Sequence, residues 1–300
     1  MKQVNAWISA CRLRTLPLSI SGAIVGSGIA YSRGFFDSSV FALTIATTLS
    51  LQILSNLAND YGDGIKGTDN ENRIGPERAL QSGKISPKQM QNAIIFNVIS
   101  CLVLVICLIY TAFGAKQVLT SLVFICLGVL AIVAAIKYTV GASAYGYKAL
   151  GDVMVFLFFG WLSVLGTYFL YTKQIDFLML LPATTIGLLS TGVLNLNNMR
   201  DIESDKLSNK QTLAGYLGSK QSKIYHQFLV VFSMLLIGFY SFLTANSTMY
   251  FLIIAFLPFL VHLNIIRNTI NPKDYDPQLK VLALSTFLLA IIFSVCHIVF

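Results

Sequence analysis

Apolar residues along this chain gather in long runs instead of alternating with polar ones. A helix that crosses a bilayer needs about 20 mostly apolar residues. Nine stretches meet that length, near 15–32, 39–58, 92–114, 118–138, 150–171, 176–197, 226–244, 248–267 and 279–299. Gly114 to Gln117 supply the turn between the third and fourth. The pattern predicts an all-α polytopic membrane protein of nine transmembrane helices.

The polar positions test that map. With the N-terminus inside, the even-numbered connections share its side. Eighteen of the 21 Lys and Arg then fall inside, and only Arg33, Lys116 and Lys173 fall outside. This is a positive-inside partition, and an eight-helix map would break it. The N-terminus and the acidic connections are expected on the cytoplasmic side. Eleven of the 13 Asp and Glu lie on the same inside face, Asp37 and Asp176 being the exceptions. Carboxylates contribute little to orientation, so that bias needs another cause.

Composition narrows the class. Charged residues are 11% of the 300, hydrophobic ones 55%, and mean hydropathy is +0.71; a soluble protein carries roughly 25% charge. A cytosolic enzyme, a nucleic-acid-binding module and a disordered chain are excluded. The net charge of +8 follows from topology, not from a nucleic-acid partner. The five cysteines form no CxxC pair, and four lie in apolar runs, so neither a disulfide framework nor a thiolate metal site is indicated. The N-terminal stretch lacks the cleavage site of a signal peptide. The chain reads as a single transmembrane domain over 1–300, of unknown oligomeric state.

Two inside connections carry chemistry. The first, read as a loop after span 2, holds Asn56, Asn59, Asp60, Asp63, Lys66 and Asp69, then Arg73, Glu77 and Arg78. The second follows span 6 and holds Asn195, Asn197, Asn198, Arg200, Asp201, Glu203, Asp205 and Lys206. Each starts with Asn at a helix end and presents carboxylates within two turns. On a continuing helix Asp201 and Asp205 are i,i+4 neighbours, with Asn197 one turn earlier. Carboxylates and amides are hard oxygen donors that suit Mg²⁺, which fills its shell with water and phosphate oxygens. Interleaved Arg and Lys suit the same phosphates. Two such clusters imply two ions around one diphosphate. Their matched layout, four spans apart, also predicts two four-helix units plus one helix around a central cavity.

Other patterns were weighed against this. Gly62, Gly64 and Gly67 match GxGxxG, but no strand precedes them; they read instead as letting the loop bend close to a ligand. Asp60, Asp63 and Asp69 miss the EF-hand spacing. Lys137, Tyr138, Tyr145, Tyr147, Lys148 and Asp152 read as an interfacial belt or a third wall of the site. Arg12 and Arg14 read as anchors or anion ligands. His226 and His297 read as interfacial, and His262 as a helix–helix hydrogen-bonding residue. Gly22, Gly26 and Gly28 suit close helix packing. Phe156, Phe158, Phe159 and Trp161 suit lipid, core or an apolar tunnel.

A metal–diphosphate clamp on an apolar bundle fits a polyprenyl diphosphate. Metal ions stabilise the departing diphosphate, and the allylic cation then alkylates an electron-rich acceptor away from water. At these residues the chain resembles the UbiA-type intramembrane aromatic prenyltransferases. Their first motif, Asn-Asp-x-x-Asp with a further Asp, stands here as Asn59-Asp60-Tyr61-Gly62-Asp63 with Asp69. Many members place the last Asp where this chain has Gly67, so whether Asp60 or Asp69 completes the set stays open. Their second motif, Asp-x-x-x-Asp, stands here as Asp201 and Asp205. Likeness extends through Arg14-Thr-Leu-Pro-Leu, Arg73-Ile-Gly-Pro, Gly146-Tyr and Leu150-Gly-Asp.

The resemblance implies Mg²⁺, a polyprenyl diphosphate donor and 1,4-dihydroxy-2-naphthoate as acceptor, prenylated with loss of CO₂ in menaquinone biosynthesis. On this reading Asn59, Asp63, Asp69, Asp201 and Asp205 hold metal, with Asp60 and Asn197 in reserve. Lys66, Arg73, Lys137 and Arg200 hold diphosphate, and Tyr138 shields the cation. Asp63, Asp201 and Tyr138 carry catalysis. The alternatives are another acceptor such as 4-hydroxybenzoate, or a transporter of an anionic solute.

Overall fold

The computed structural model describes residues 2–69, 74–244 and 248–299. Among them the elements are helices; the one strand-like contact is an isolated parallel bridge between Lys148 and Gln211. Nine helical spans of the described residues are long and apolar enough to cross a membrane. A short helix α1 (Lys2–Ala10) leads into α2 (Leu16–Ser32). Then come α3 (Ser38–Lys66), α4 (Pro87–Phe113), α5 (Val118–Lys137), α6 (Gly151–Thr172) and α7 (Leu180–Arg200). The short α8 (Ile202–Leu207) precedes α9 (Leu213–Leu243), α10 (Thr248–Asn268) and α11 (Tyr275–Val299).

The spans agree with the hydropathy pattern, but several helices outrun it. Hydropathy marks where hydrocarbon ends, whereas a helix stops where its caps are. α3 starts at Asp37, whose side chain accepts from the amides of Ser39 and Val40 at 2.7 and 3.0 Å. It ends only at Gly67, in the left-handed conformation with φ 73°. The segment read as a loop, Asn56 to Lys66, is therefore helical. Its glycines serve packing: a Cβ on Gly62 would lie 2.6 Å from Thr139 Oγ1 and 2.8 Å from the Thr139 backbone. α9 likewise begins well before 226, with a kink at Gly218.

Lipid gives no hydrophobic drive between helices, so close packing rests on small residues and polar joints. Gly22 and Gly26 of α2 meet Ser163 and Val164 of α6, and Gly28 meets Ser294 of α11. Over Phe156–Gly166 α6 takes the wide π-helical form, which is rare beyond a single turn. α7 is the most enclosed span, packed on α6, α9 and α11, and α11 closes against α2. α9, α10 and α11 share a buried polar joint. His226 and His262 meet Nε2 to Nε2 at 2.9 Å, and His262 Nδ1 lies 2.8 Å from Gln278 Oε1. His262 thus joins helices as expected. His226 is fully buried rather than interfacial, because α9 begins earlier than its apolar run. All five cysteines are free thiols.

Candidate active site

One cavity of about 380 Å³ runs into the bundle. It is lined from α2, α3, α4, α5, α6, α7, α11 and their connections; α9 and α10 contribute no lining residue. One part is apolar, with Val105, Leu108, Phe124, Ala131, Phe158 and Phe159 among its walls. The other part gathers both acidic stretches: Asn59, Asp63 and Asp69 face Asn197, Asp201 and Asp205 across the same space. The helical course of α3 produces this, since Asn59 and Asp63 are i,i+4 and share a face. The turn at Asp201, whose carbonyl accepts the Asp205 amide at 2.8 Å, does the same for the second pair.

Asp60 occupies a different place. It lies off the lining, 1% exposed, 2.5 Å from Arg12 Nη2 and 3.6 Å from Arg78 Nε. Arg12 itself stands in a left-handed turn, φ 50°, between α1 and α2. Of the two aspartates left open, it is Asp69 that lines the cavity.

The positive residues divide in the same way. Arg200 is not on the lining: its side chain is fully buried and grips Asp201, Nε to Oδ1 at 2.8 Å and Nη2 to Oδ2 at 2.6 Å. It also reaches Asn197 Oδ1 at 2.9 Å and Asp276 Oδ1 at 2.5 Å, and Asp276 is shared with Arg14 at 3.3 Å. Lys137 is exposed at the end of α5 and off the lining. Lys66 is also exposed, its ammonium 4.0 Å from the centroid of Tyr147. Arg73 lies outside the described residues. The cations that do line the cavity are Arg12, Arg14, Arg78, Lys210 and Lys280.

Lys210 escaped the sequence reading, where it looked like any inside-facing lysine. Its side chain is 9% exposed, and Nζ lies 3.4 Å from Asp205 Oδ1. Burial alone would depress its ammonium, but Asp63 and Asp205 more than reverse that and hold it above the usual lysine range. Tyr147, read from the sequence as interfacial belt or third wall of the site, stands beside the first acidic stretch. Its hydroxyl donates to Asp63 Oδ1 at 2.7 Å and lies 2.6 Å from Thr68 Oγ1. Burial, reinforced by Asp63, raises Tyr147 and keeps it a donor. Thr139 donates to the Ala58 carbonyl and, at 3.3 Å, to Asn59 Oδ1, which orients that amide. Tyr138 lines the cavity, edge-on to Tyr145 at 5.3 Å; burial pushes its phenol up to about 12, so it stays neutral.

The donor set fits a hard divalent cation. All six side chains facing the cavity offer oxygen, and Asp205 Oδ2 is buried with no hydrogen-bond partner. Burial, with Lys210 opposing and Asp201 adding, lifts the Asp205 carboxyl to about 6. Among the described residues no three acidic, His or Cys side chains chelate one ion unaided. That suits Mg²⁺, which usually takes one or two carboxylates and completes its shell from substrate phosphate and water.

A helical bundle with two facing Asn–Asp clusters at one end of an apolar cavity defines an intramembrane site for a charged head and a lipid tail. The chain belongs to the UbiA prenyltransferase family, whose model matches residues 19–293, and it is an integral membrane protein. It is 40% identical over 281 residues to the 1,4-dihydroxy-2-naphthoate octaprenyltransferase of Escherichia coli K12, covering 93% of this chain and 91% of that one. The Haemophilus influenzae enzyme of the same name is 40% identical over 296 residues, 98% and 96% of the two chains. In three dimensions a UbiA homolog from Archaeoglobus fulgidus, bound to DMAPP and Mg²⁺, matches with a TM-score of 0.64 at 13% identity, covering 96% and 99%. That likeness is one of fold.

Proposed function

We propose that the chain transfers a polyprenyl group from a polyprenyl diphosphate to 1,4-dihydroxy-2-naphthoate, releasing diphosphate and CO₂ to give demethylmenaquinol, the quinol form of demethylmenaquinone. The observation that carries this reading is that Asp63 and Asp69 share one cavity with Asp201 and Asp205, together with apolar walls that include Val105, Leu108, Phe124, Phe158 and Phe159. The sequence identity to two octaprenyltransferases supports the acceptor.

Asn59, Asp63, Asp69, Asp201 and Asp205 hold Mg²⁺, with Asn197 beside them. When bound, Mg²⁺ neutralises charge that develops on the leaving diphosphate. Arg12, Arg14, Arg78, Lys210 and Lys280 supply the cationic wall for diphosphate oxygens, and Arg73 keeps that role from the sequence. Arg200 positions Asp201 and Asn197 rather than touching diphosphate. The tail lies along Phe124, Ala131, Phe158 and Phe159, which keep water from the allylic carbon. Tyr138, a neutral phenol beside the acidic end, faces that carbon with its ring. The allylic C–O bond breaks, a C–C bond forms at the carboxyl-bearing ring carbon, and the aryl–carboxylate bond breaks to release CO₂. CO₂ leaves the ring carbon in place of a proton, so no base is needed to restore aromaticity. The acidic end faces the cytoplasm of a bacterial inner membrane, by the bias of Lys and Arg.

The test uses purified protein, Mg²⁺, a polyprenyl diphosphate and naphthoate labelled in its carboxyl group. Labelled CO₂ should appear in step with prenylated product. Turnover on 4-hydroxybenzoate with none on the naphthoate would replace the acceptor.

A further inference from the structure

We infer that Lys210 is a built-in stand-in for the metal charge: its ammonium bridges the two acidic clusters before ions bind, then passes to a diphosphate oxygen. This rests on the metal–diphosphate reading above and goes beyond it.

Four carboxylates face one cavity, and like charges gathered in a buried site repel unless compensated. Compensation is uneven. Asp201 is gripped by Arg200 at 2.6 and 2.8 Å, and Asp63 accepts from Tyr147 at 2.7 Å. Among the described residues Asp205 has Lys210 as its one charged partner, at 3.4 Å, and its second oxygen has no hydrogen-bond partner there. A charge-assisted N–H···O bond closes to about 2.7–2.9 Å, so the Lys210 contact is a loose one between charges that can be exchanged.

The backbone under Lys210 is fixed, and the buried ammonium sits at the end of a flexible four-carbon stem. The Lys210 amide donates to the Asp205 carbonyl at 2.8 Å, and Asn209 takes a left-handed turn with φ 53°. The next residue ties to a second loop, the Ala149 amide donating to the Gln211 carbonyl at 2.9 Å. The stem runs beside Tyr147, with Nζ 5.8 Å from its ring centroid. A lysine ammonium on a flexible four-carbon stem can pivot between carboxylate and phosphate without moving the backbone.

A stand-in has effects of opposite sign on its two ligands, and that separates it from a plain diphosphate ligand. In full-length Lys210→Met, Mn²⁺ binding without substrate, followed by EPR, should tighten about tenfold, the ordinary size of a coupling between two binding events. The KM for polyprenyl diphosphate should rise by a similar factor. The ion-free variant should unfold at a lower temperature than the parent, with saturating Mg²⁺ closing the gap. Unchanged or weaker Mn²⁺ binding would overturn the inference. A second measurement needs no variant: amine labelling of Lys210 in the native chain, read by mass spectrometry. Mg²⁺ alone should speed labelling, and added pyrophosphate should slow it again; labelling indifferent to Mg²⁺ overturns the inference too. Absence of Mn²⁺ binding in the native chain would instead sink the metal assignment itself.

Discussion

Arg200 and Asp201 are consecutive in sequence and face one another through two hydrogen bonds, Nε to Oδ1 at 2.8 Å and Nη2 to Oδ2 at 2.6 Å. Neighbouring residues on a continuous helix point in different directions; the break between α7 and α8 at Asp201 lets the two side chains meet. The guanidinium is fully buried and makes further bonds to Asn197 and Asp276. It presents Asp201 to the cavity in one orientation, as a second shell does for a metal ligand.

Removing that guanidinium takes two charge-assisted hydrogen bonds from buried Asp201. Breaking a buried pair from one side costs about 3–5 kcal/mol. Arg200→Met should therefore lower the midpoint of thermal unfolding in detergent and abolish turnover together. Arg200→Lys keeps the charge but not the fork, and should recover much of the stability and little of the activity. Unfolding curves and initial rates on the two proteins check this, and a fully active Arg200→Lys would remove the orienting role.

The positive residues offer a second contrast. Arg78 lines the cavity, whereas Lys137 is exposed and off the lining. Arg78→Ala should raise the KM for polyprenyl diphosphate by about 10²-fold, the loss of one strong charge-assisted contact. Lys137→Ala should change it by less than about threefold, as surface charges contribute little. Steady-state kinetics on both proteins decide the matter, and the reverse ranking would restore the reading of Lys137 as a diphosphate ligand.

Asp60 and Asp69 separate stability from binding. Asp60 lies between Arg12 and Arg78, off the lining, so Asp60→Asn should destabilise the fold by removing the buried carboxylate that the two cations share. Asp69 lines the cavity, so Asp69→Asn should keep the unfolding midpoint and weaken Mg²⁺-dependent stabilisation. Midpoints with and without Mg²⁺ give both answers in one experiment. Identical behaviour of the two variants would leave no basis for preferring Asp69.

The nine spans and the two acidic stretches were legible in the sequence because each is a local pattern. A run of about 20 apolar residues and an Asn followed by Asp one turn on are both read from one continuous stretch of chain. What the pattern missed depends on distance. Lys210 looked like an orientation anchor because nothing local says that the loop after α8 folds back on Asp205. Arg200 looked like a diphosphate ligand because its partner Asp276 lies 76 residues away. The ends of α3 and α9 were missed for another reason: outside the hydrocarbon a polar helix costs little, so caps at Gly67 and Thr212 set its limits and hydropathy does not. His226 was misplaced by the same shift.

Acidity should act through Asp205. Its burial, assisted by the Asp201 and Asp63 charges and opposed by Lys210, lifts the carboxyl from the ordinary value of 3.8 to about 6. The ionised form is thus disfavoured in the folded, ion-free protein. Between those two values the native state binds more protons than the unfolded chain, so this group's share of stability falls as pH rises. Ion-free protein should therefore gain stability from Asp205 on moving from pH 7 to pH 5. A divalent ion reverses the preference, because it needs the carboxylate and a proton competes with it. Apparent Mg²⁺ affinity should hold steady above about pH 6.5 and fall roughly tenfold per pH unit below about 6, as one competing proton requires. Mn²⁺ titrations from pH 5 to 8 on the native chain and on Asp205→Asn test this. The variant should bind more weakly throughout and lose the break near pH 6; a break that survives the substitution belongs to another group.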